Sequence, residues 1–393
     1  MYIVSKDIRR TNREYGSSTV LNDTIDDLFN AENLETIDIP DYSYVHYDLL
    51  RTKTTLVPDN THFLGEISDT NLSIICRRII DICNKHPNPQ DEYYHFRLPK
   101  KTGGFRPIDA PEKDLKKDMK EIVSILLRDL KLLTHDSAWA YVNGRDVVHA
   151  MQEHTNNKSR WYLKIDLKNF FGSCSPDFIY KQLQTIYPFA NNLGVQNVLT
   201  MLDRLTDLAC LNNGLPQGTP LSPLLTNLIM IEFDYKINKL LNTLVKDNKI
   251  YKQRYVYTRY ADDIIISAKC KFDYEIVLKE LKKLFKDTPL RINNDKTRFG
   301  TSAGRNWNLG IMCNKDNKTT IGYKRKQKLK AAIHNYILTR TDWTLEDLQY
   351  LLGQLSWLHN VEPTYFEQFI QYCSRKYNLN IWNELIADIK RNS

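Results

Sequence analysis

The sequence predicts an α+β fold, and three observations predict it. Residues 255–267 read as two short strands of aromatic and β-branched residues joined by a tight turn near Ala261-Asp262-Asp263, which makes an antiparallel pair. Residues 94–111 read as a second hairpin around Gly103-Gly104. Residues 69–83, and a stretch from about residue 345, instead carry apolar side chains at helical spacing.

A chain of 393 residues has room for two or three domains or one multi-lobed enzyme. With 42% hydrophobic and 26% charged residues it has the balance of a globular protein. A net charge of +8 is compatible with a polyanionic partner, but local clusters decide that question. The seven cysteines are scattered with no C-x-x-C pair, which argues for reduced thiols in a cytoplasmic protein and against a zinc site. Residues 1–7 do not read as a signal peptide, and no apolar run is long enough to span a membrane, so no membrane partner is expected.

Residues 1–65 form an extension with Arg9, Arg10 and Arg13 at its start and several acids after them, to which no chemistry is assigned. Residues 69–83 follow as a packing helix with Asp69 or Thr70 as N-cap. The hairpin at 94–111 has Lys100 before its turn and Arg106 after it. Taken alone it could be a surface hairpin with solvated charges; it could equally lay both cations over a triphosphate. A helix is expected from about 114 to 133. Residues 161–166 form a strand ending in Asp166, where a lone acid would usually be a cap or turn former. Ser222 before Pro223 reads as an N-cap and first-turn pair, and Gly218 permits close backbone approach. The turn at 261–263 brings two like charges together, and something positive must offset their repulsion; a divalent metal is the obvious candidate. The run Ile264-Ile265-Ile266 is apolar on both faces, so this hairpin belongs inside a packed domain. Residues 323–330 hold five basic side chains and no acid, and the stripe Leu348, Leu351, Leu352, Leu355, Leu358 is core.

Five of these segments, in order, resemble the motifs of bacterial reverse transcriptases. Tyr260-Ala261-Asp262-Asp263 is similar to their Tyr-x-Asp-Asp box. Pro216-Gln217-Gly218, continuing through Ser222-Pro223 to Asn227, resembles a pattern specific to the group II intron, retron and related bacterial classes. The resemblance implies a right-hand polymerase: an antiparallel palm sheet with helices, mixed fingers and an α-helical thumb. It places the fingers at 66–160, the palm at 161–316 with a finger-like insertion at about 174–212, and the thumb at 317–393. It implies that Asp166, Asp262 and Asp263 bind two Mg2+ ions, or Mn2+ in their place. It implies that Lys296 can protonate the departing pyrophosphate and that Lys100 and Arg106 meet the nucleotide's phosphates. Phe171 matches a steric gate against the 2′-hydroxyl, with Phe170 in the core, and Gln217 and Gly218 would contact nucleotide and template base. Leu309 and Gly310 fall in the primer grip, and Lys324, Arg325, Lys326, Lys328 and Lys330 on a surface tracking phosphates.

The expected partners are dNTPs, a DNA product and an RNA template, an associated non-coding RNA. A homo-oligomer or an effector protein stands open beside them. The chain runs to Ser393 with no maturase or endonuclease extension, which sets a mobile group II intron protein aside. Ala150 and His154 are one residue too far apart for the retron Asn-Ala-x-x-His segment, and Asn308-Leu309-Gly310 stands where retrons have Val-Thr-Gly. The expectation is therefore an antiphage-defence reverse transcriptase, with a retron enzyme as the alternative. Template-independent or protein-primed DNA synthesis and an RNA-binding scaffold with an inactive palm are the other readings; the intact aspartates, Gln217 and Lys296 speak against the scaffold.

Overall fold

The computed structural model describes residues 67–99, 103–247, 254–301, 307–314 and 316–392. The extension at 1–65 and Lys100 lie outside the described residues.

Helix α1 (Asp69–Cys83) opens this part, and Ser68 rather than Asp69 or Thr70 caps it, its hydroxyl accepting the Asn71 N–H. Strands β1 (Tyr93–Pro99) and β2 (Phe105–Pro111) pair in full antiparallel register, from Tyr93 opposite Pro111 to Pro99 opposite Phe105. Helix α2 (Lys113–Ser124) is shorter than its sequence suggests, because the chain widens into a π-type turn over Ile125–Asp129 before leaving the helical path. Helix α3 (Val147–Asn156) starts at Asp146, whose carboxylate accepts the His149 N–H.

Four strands build the central sheet: β3 (Trp161–Asp166), β4 (Val256–Tyr260), β5 (Asp263–Ala268) and β6 (Arg298–Thr301), ordered β4-β5-β3-β6 and antiparallel throughout. Between β3 and β4 run α4 (Phe170–Ser173), α5 (Pro176–Leu183), α6 (Val198–Ala209), α7 (Leu221–Ile229) and α8 (Ile231–Asp247); α9 (Tyr274–Leu284) follows β5. Helix α6 packs on α1, so the segment between β3 and α7 reaches back to the first helix.

The period-2 alternation of strands sorts the sheet's two faces. Leu163, Ile165, Ile264 and Ile266 join the large core with α7 and α8, while Tyr162 and Ile265 face a second core. On that second face His154 of α3 is wholly buried and bonds the Ser267 and Thr258 hydroxyls at 2.6 and 2.8 Å, fastening α3 to β4 and β5. Beyond α3's cover, the same face ends in Lys164, Asp166 and Asp263.

A small sheet follows, with β7 (Trp307–Asn308), β8 (Ile311–Cys313) and β9 (Thr319–Thr320) in that order. Four helices complete the structure: α10 (Tyr323–Leu338), α11 (Leu345–Val361), α12 (Pro363–Tyr377) and α13 (Ile381–Asn392). The leucine stripe of α11 is core as its spacing predicts, with Leu348, Leu351, Leu355 and Leu358 all buried, and Leu352 half-buried beside them. No helix of the described residues is long and apolar enough to cross a membrane.

Candidate active site

Strand register brings the acids together. Asp166 is the last residue of β3 and stands directly opposite Asp263, the first of β5, so both side chains leave the same face. Asp262 occupies the two-residue turn between Tyr260 and Asp263. That turn holds Ala261 at φ +55°, a left-handed conformation costing an L-residue about 1–2 kcal/mol. The surroundings impose it. The Leu167 N–H donates to the Asp262 carbonyl at 3.0 Å, and Arg259 Nη1 approaches the Ala261 carbonyl at 3.4 Å.

Arg259 is wholly buried under this turn. It forks onto Asp234 of α8, Nε to Oδ1 at 2.9 Å and Nη2 to Oδ2 at 2.7 Å, and its Nη1 donates to Asn227 Oδ1 at 3.0 Å. The Tyr257 hydroxyl donates to Asp234 Oδ1 at 2.5 Å. Asn227, the last position of the Gln-Gly pattern, donates in turn to the Ala140 carbonyl at 2.8 Å. One buried network therefore joins the Ala261-Asp262 turn, α7, α8 and the loop before α3.

Each acid has a different electrostatic setting. Asp166 accepts from Asn293 Nδ2 at 3.0 Å on one oxygen and from Lys296 Nζ at 2.9 Å on the other. This contact raises the Lys296 pKa, so the lysine predicted to act as an acid is already engaged. Asp263 pairs with Lys164 Nζ at 3.0 Å, diagonally across the β3–β5 ladder. Asp262 has no cation paired with it among the described residues. Burial pushes its carboxyl pKa up, and the neighbouring Asp263 and Asp166 charges push it further. An acid short of positive charge, flanked by two others, fits a divalent cation. Among the described residues no three acidic, histidine or cysteine side chains form a ready-made cage. Mg2+ does not need one, since it commonly takes one or two carboxylates plus substrate phosphates.

The remaining predicted residues have differing structural settings. Phe170 is buried and Phe171 only partly so, because both lie on the helical turn α4, where neighbours point about 100° apart. The Thr219 hydroxyl accepts the Ser222 N–H at 3.2 Å, so Ser222 lies inside α7 and does not cap it, its hydroxyl 2.7 Å from that of Thr219. Gly218 sits at φ +128°, and a Cβ there would lie 2.9 Å from the Asp109 carbonyl oxygen. The Gln217 carbonyl accepts the Asp109 N–H at 3.0 Å, so this loop is tied to β2, the strand that carries the exposed Arg106. Leu309 and Gly310, at φ +52° and +77°, turn the chain from β7 to β8. Arg325 Nη1 donates to the Gly310 carbonyl at 2.9 Å.

The basic run is not a uniform phosphate track. Lys324 and Lys328 are exposed on α10. Lys326 instead pairs with Glu362 at 2.5 Å and lies 3.8 Å from the Tyr365 ring centroid, while Lys330 caps the Tyr372 ring at 4.8 Å. Their partners lie on or beside α12, more than thirty residues away in sequence, which the run of cations alone does not show. Sequence reasoning also passed over Lys164, Asp234, Arg259 and Asn293. A charged residue at an inward position of a buried strand, such as Arg259, was the one available signal for that network.

Residues 98–331 match the reverse transcriptase (RNA-dependent DNA polymerase) family. The chain belongs to the reverse transcriptase family. It is 27% identical to the retron Ec83 reverse transcriptase of Escherichia coli over 71% of this chain and 86% of that one. It is 28% identical to the retron Ec73 reverse transcriptase of E. coli over 71% and 85%, and 24% identical to the retron Mx162 reverse transcriptase of Myxococcus xanthus over 71% and 59%. A solved apo telomerase from Candida tropicalis aligns at a TM-score of 0.42 and 14% identity over 77% of this chain and 62% of that one. This reverse transcriptase is an RNA-directed DNA polymerase with the α+β right-hand fold that its sequence predicts.

The setting of Asp262 has a consequence for stability. Its folded pKa stands above the unfolded value of about 3.9. The folded state therefore binds the extra proton between the two values, and stability falls as pH rises through that window. Asp262→Asn should make the metal-free protein more stable than wild type at neutral pH, with the difference closing below about pH 4, where both states are protonated. Thermal denaturation in a chelating buffer across pH checks this; a variant less stable at neutral pH would remove the electrostatic argument.

Proposed function

We propose that this enzyme copies an associated non-coding RNA into DNA at the site formed by Asp166, Asp262 and Asp263. The observation that carries the reading is the register placing Asp166 opposite Asp263 with the Asp262 turn beside them. The carboxylates of Asp166 and Asp262 would hold two Mg2+ ions, or Mn2+ in their place, with Asp263 completing the cluster. When bound, such a pair stabilises the attacking and leaving oxygens of an in-line displacement. Lys296 rests on Asp166 with most of its side chain exposed, and its ammonium would serve as the proton donor to the leaving pyrophosphate. Arg106 and Lys100 meet the triphosphate, Phe171 screens the sugar, and the Gln217-Gly218 loop supports the nucleotide and template base. Leu309 and Gly310 meet the primer end, and Lys324, Arg325 and Lys328 follow the nucleic-acid backbone. Fingers at 66–160, palm at 161–316 and thumb at 317–393 are the corresponding lobes.

The retron relatives, aligned over most of their length, support a retron-type product in which single-stranded DNA is made on an associated RNA. We further propose that the enzyme works in the cytoplasm in antiphage defence, with an effector protein as a further partner.

Two outcomes are expected. Asp262→Asn with Asp263→Asn should abolish nucleotide incorporation on an RNA template while leaving fold and RNA binding largely intact; polymerisation at wild-type level would defeat the reading. Removing the charge of Arg106 should raise the KM for dNTP about ten- to a hundredfold, since a charge-assisted contact is worth roughly 1.5–3 kcal/mol. An unchanged nucleotide KM with weakened RNA binding would instead make the hairpin an RNA contact.

A further inference from the structure

The loop before α3 is built with more fastenings than a connector needs. The Trp139 N–H donates to the Arg259 carbonyl at 2.8 Å, and the Arg259 N–H donates to the Ser137 carbonyl at 2.6 Å, so residues 137–139 run alongside β4. The Ala140 carbonyl is held by Asn227. Arg145 Nη1 donates to the carbonyls of His135, Asp136 and Ala138 at 3.2, 3.2 and 2.7 Å, closing the loop on itself.

All of this ends at Tyr141. Its backbone lies at φ +61°, a conformation that bulky L-residues avoid and that persists only where the surroundings over-determine it. Ala140 beside it is wholly buried, whereas the Tyr141 side chain is turned outward and remains 49% exposed. The ring stands edge-on to Phe171, centroids 6.3 Å apart at 82°, and Phe171 in turn stands edge-on to Phe170 at 5.7 Å.

We infer that Tyr141 is the second wall of the sugar pocket, fixing the Phe171 ring in its gating position and presenting its hydroxyl to the incoming nucleotide. The inference rests on the polymerase site proposed above and adds a specificity-determining residue to it. A ring needed only for packing would be drawn inward. This one is held outward, by a strained backbone wired to Arg259 and Asn227, against the one side chain that separates deoxyribose from ribose. Tyr141 acts on sugar choice through Phe171, and on nucleotide affinity through its own hydroxyl.

The test measures kcat and KM for one dNTP and its matching rNTP on an RNA template with a DNA primer. The variants are Tyr141→Phe, Tyr141→Gly, Phe171→Ala and the double variant Tyr141→Gly with Phe171→Ala. Glycine accepts the left-handed backbone without penalty, so Tyr141→Gly removes the ring without adding strain. It should lower the dNTP-to-rNTP ratio of kcat/KM about three- to tenfold, the range set by one aromatic edge contact. Tyr141→Phe should restore the wild-type ratio but raise the KM for dNTP. The double variant should be no less selective than Phe171→Ala alone. If Phe171→Ala shifts the ratio and Tyr141→Gly does not, Tyr141 is no part of the sugar pocket and the polymerase reading stands. If neither moves the ratio, the gate and its buttress fall together. If wild type incorporates no nucleotide, the site reading beneath both is wrong.

Discussion

Repulsion among three carboxylates is the constraint on which the candidate active site depends. Asp166, Asp262 and Asp263 meet at the tips of two paired strands, and like charges brought together out of water disfavour their own ionisation. Lys164 and Lys296 each neutralise one acid from the same end of the sheet. Both lysines keep part of their surface in water, Lys296 most of it, so each can yield its acid when a stronger cation arrives. Among the described residues Asp262 has no such partner, and it is the point at which positive charge is wanted. Among the described residues the cluster is no closed metal cage, and the proposed metal–nucleotide complex would supply the positive charge it lacks.

Repelling groups stay in place only on a rigid support. The support is the buried Arg259–Asp234 pair, sealed by Tyr257 and Asn227. Buried ion pairs add little net stability against an apolar substitute, but losing one partner leaves an uncompensated charge at a cost of about 3–5 kcal/mol. Their value here is geometric. The guanidinium lies under the Ala261 carbonyl, the Arg259 backbone carries the Trp139 loop, and Asn227 carries the Ala140 carbonyl. The same network therefore sets the Asp262 turn and the loop that ends at Tyr141, so the proposed metal site and the proposed sugar pocket share one foundation.

Much of this was legible in the sequence, where function is carried by short contiguous stretches. Both hairpins, the strand ending in Asp166 and the apolar stripe of α11 follow from local pattern, and the motif order led to the family. What was hidden depends on tertiary partners. Lys164 looks like an ordinary strand lysine until the register sets it diagonal to Asp263. Asp234 sits in a helix that reads as amphipathic, and only the fold brings Arg259 beneath it. Lys326 looked like a phosphate ligand because Glu362 and Tyr365 are distant in sequence. Local rules also misled by small offsets. Ser222, expected as the N-cap, lies inside α7, and its N–H is taken up by the Thr219 hydroxyl ahead of the helix.

The central claim is that Asp262 marks the unmet demand for positive charge. The most direct measurement is Mn2+ binding, followed by electron paramagnetic resonance, to wild type and to Asp262→Asn. Each protein would carry an RNA template, a dideoxy-terminated primer and the next dNTP. Wild type should take up the ion in this complex, and the variant should bind it much more weakly while still holding primer and template. Equal uptake by the two proteins would contradict the account, because the cation would then be held without the carboxylate that most needs it.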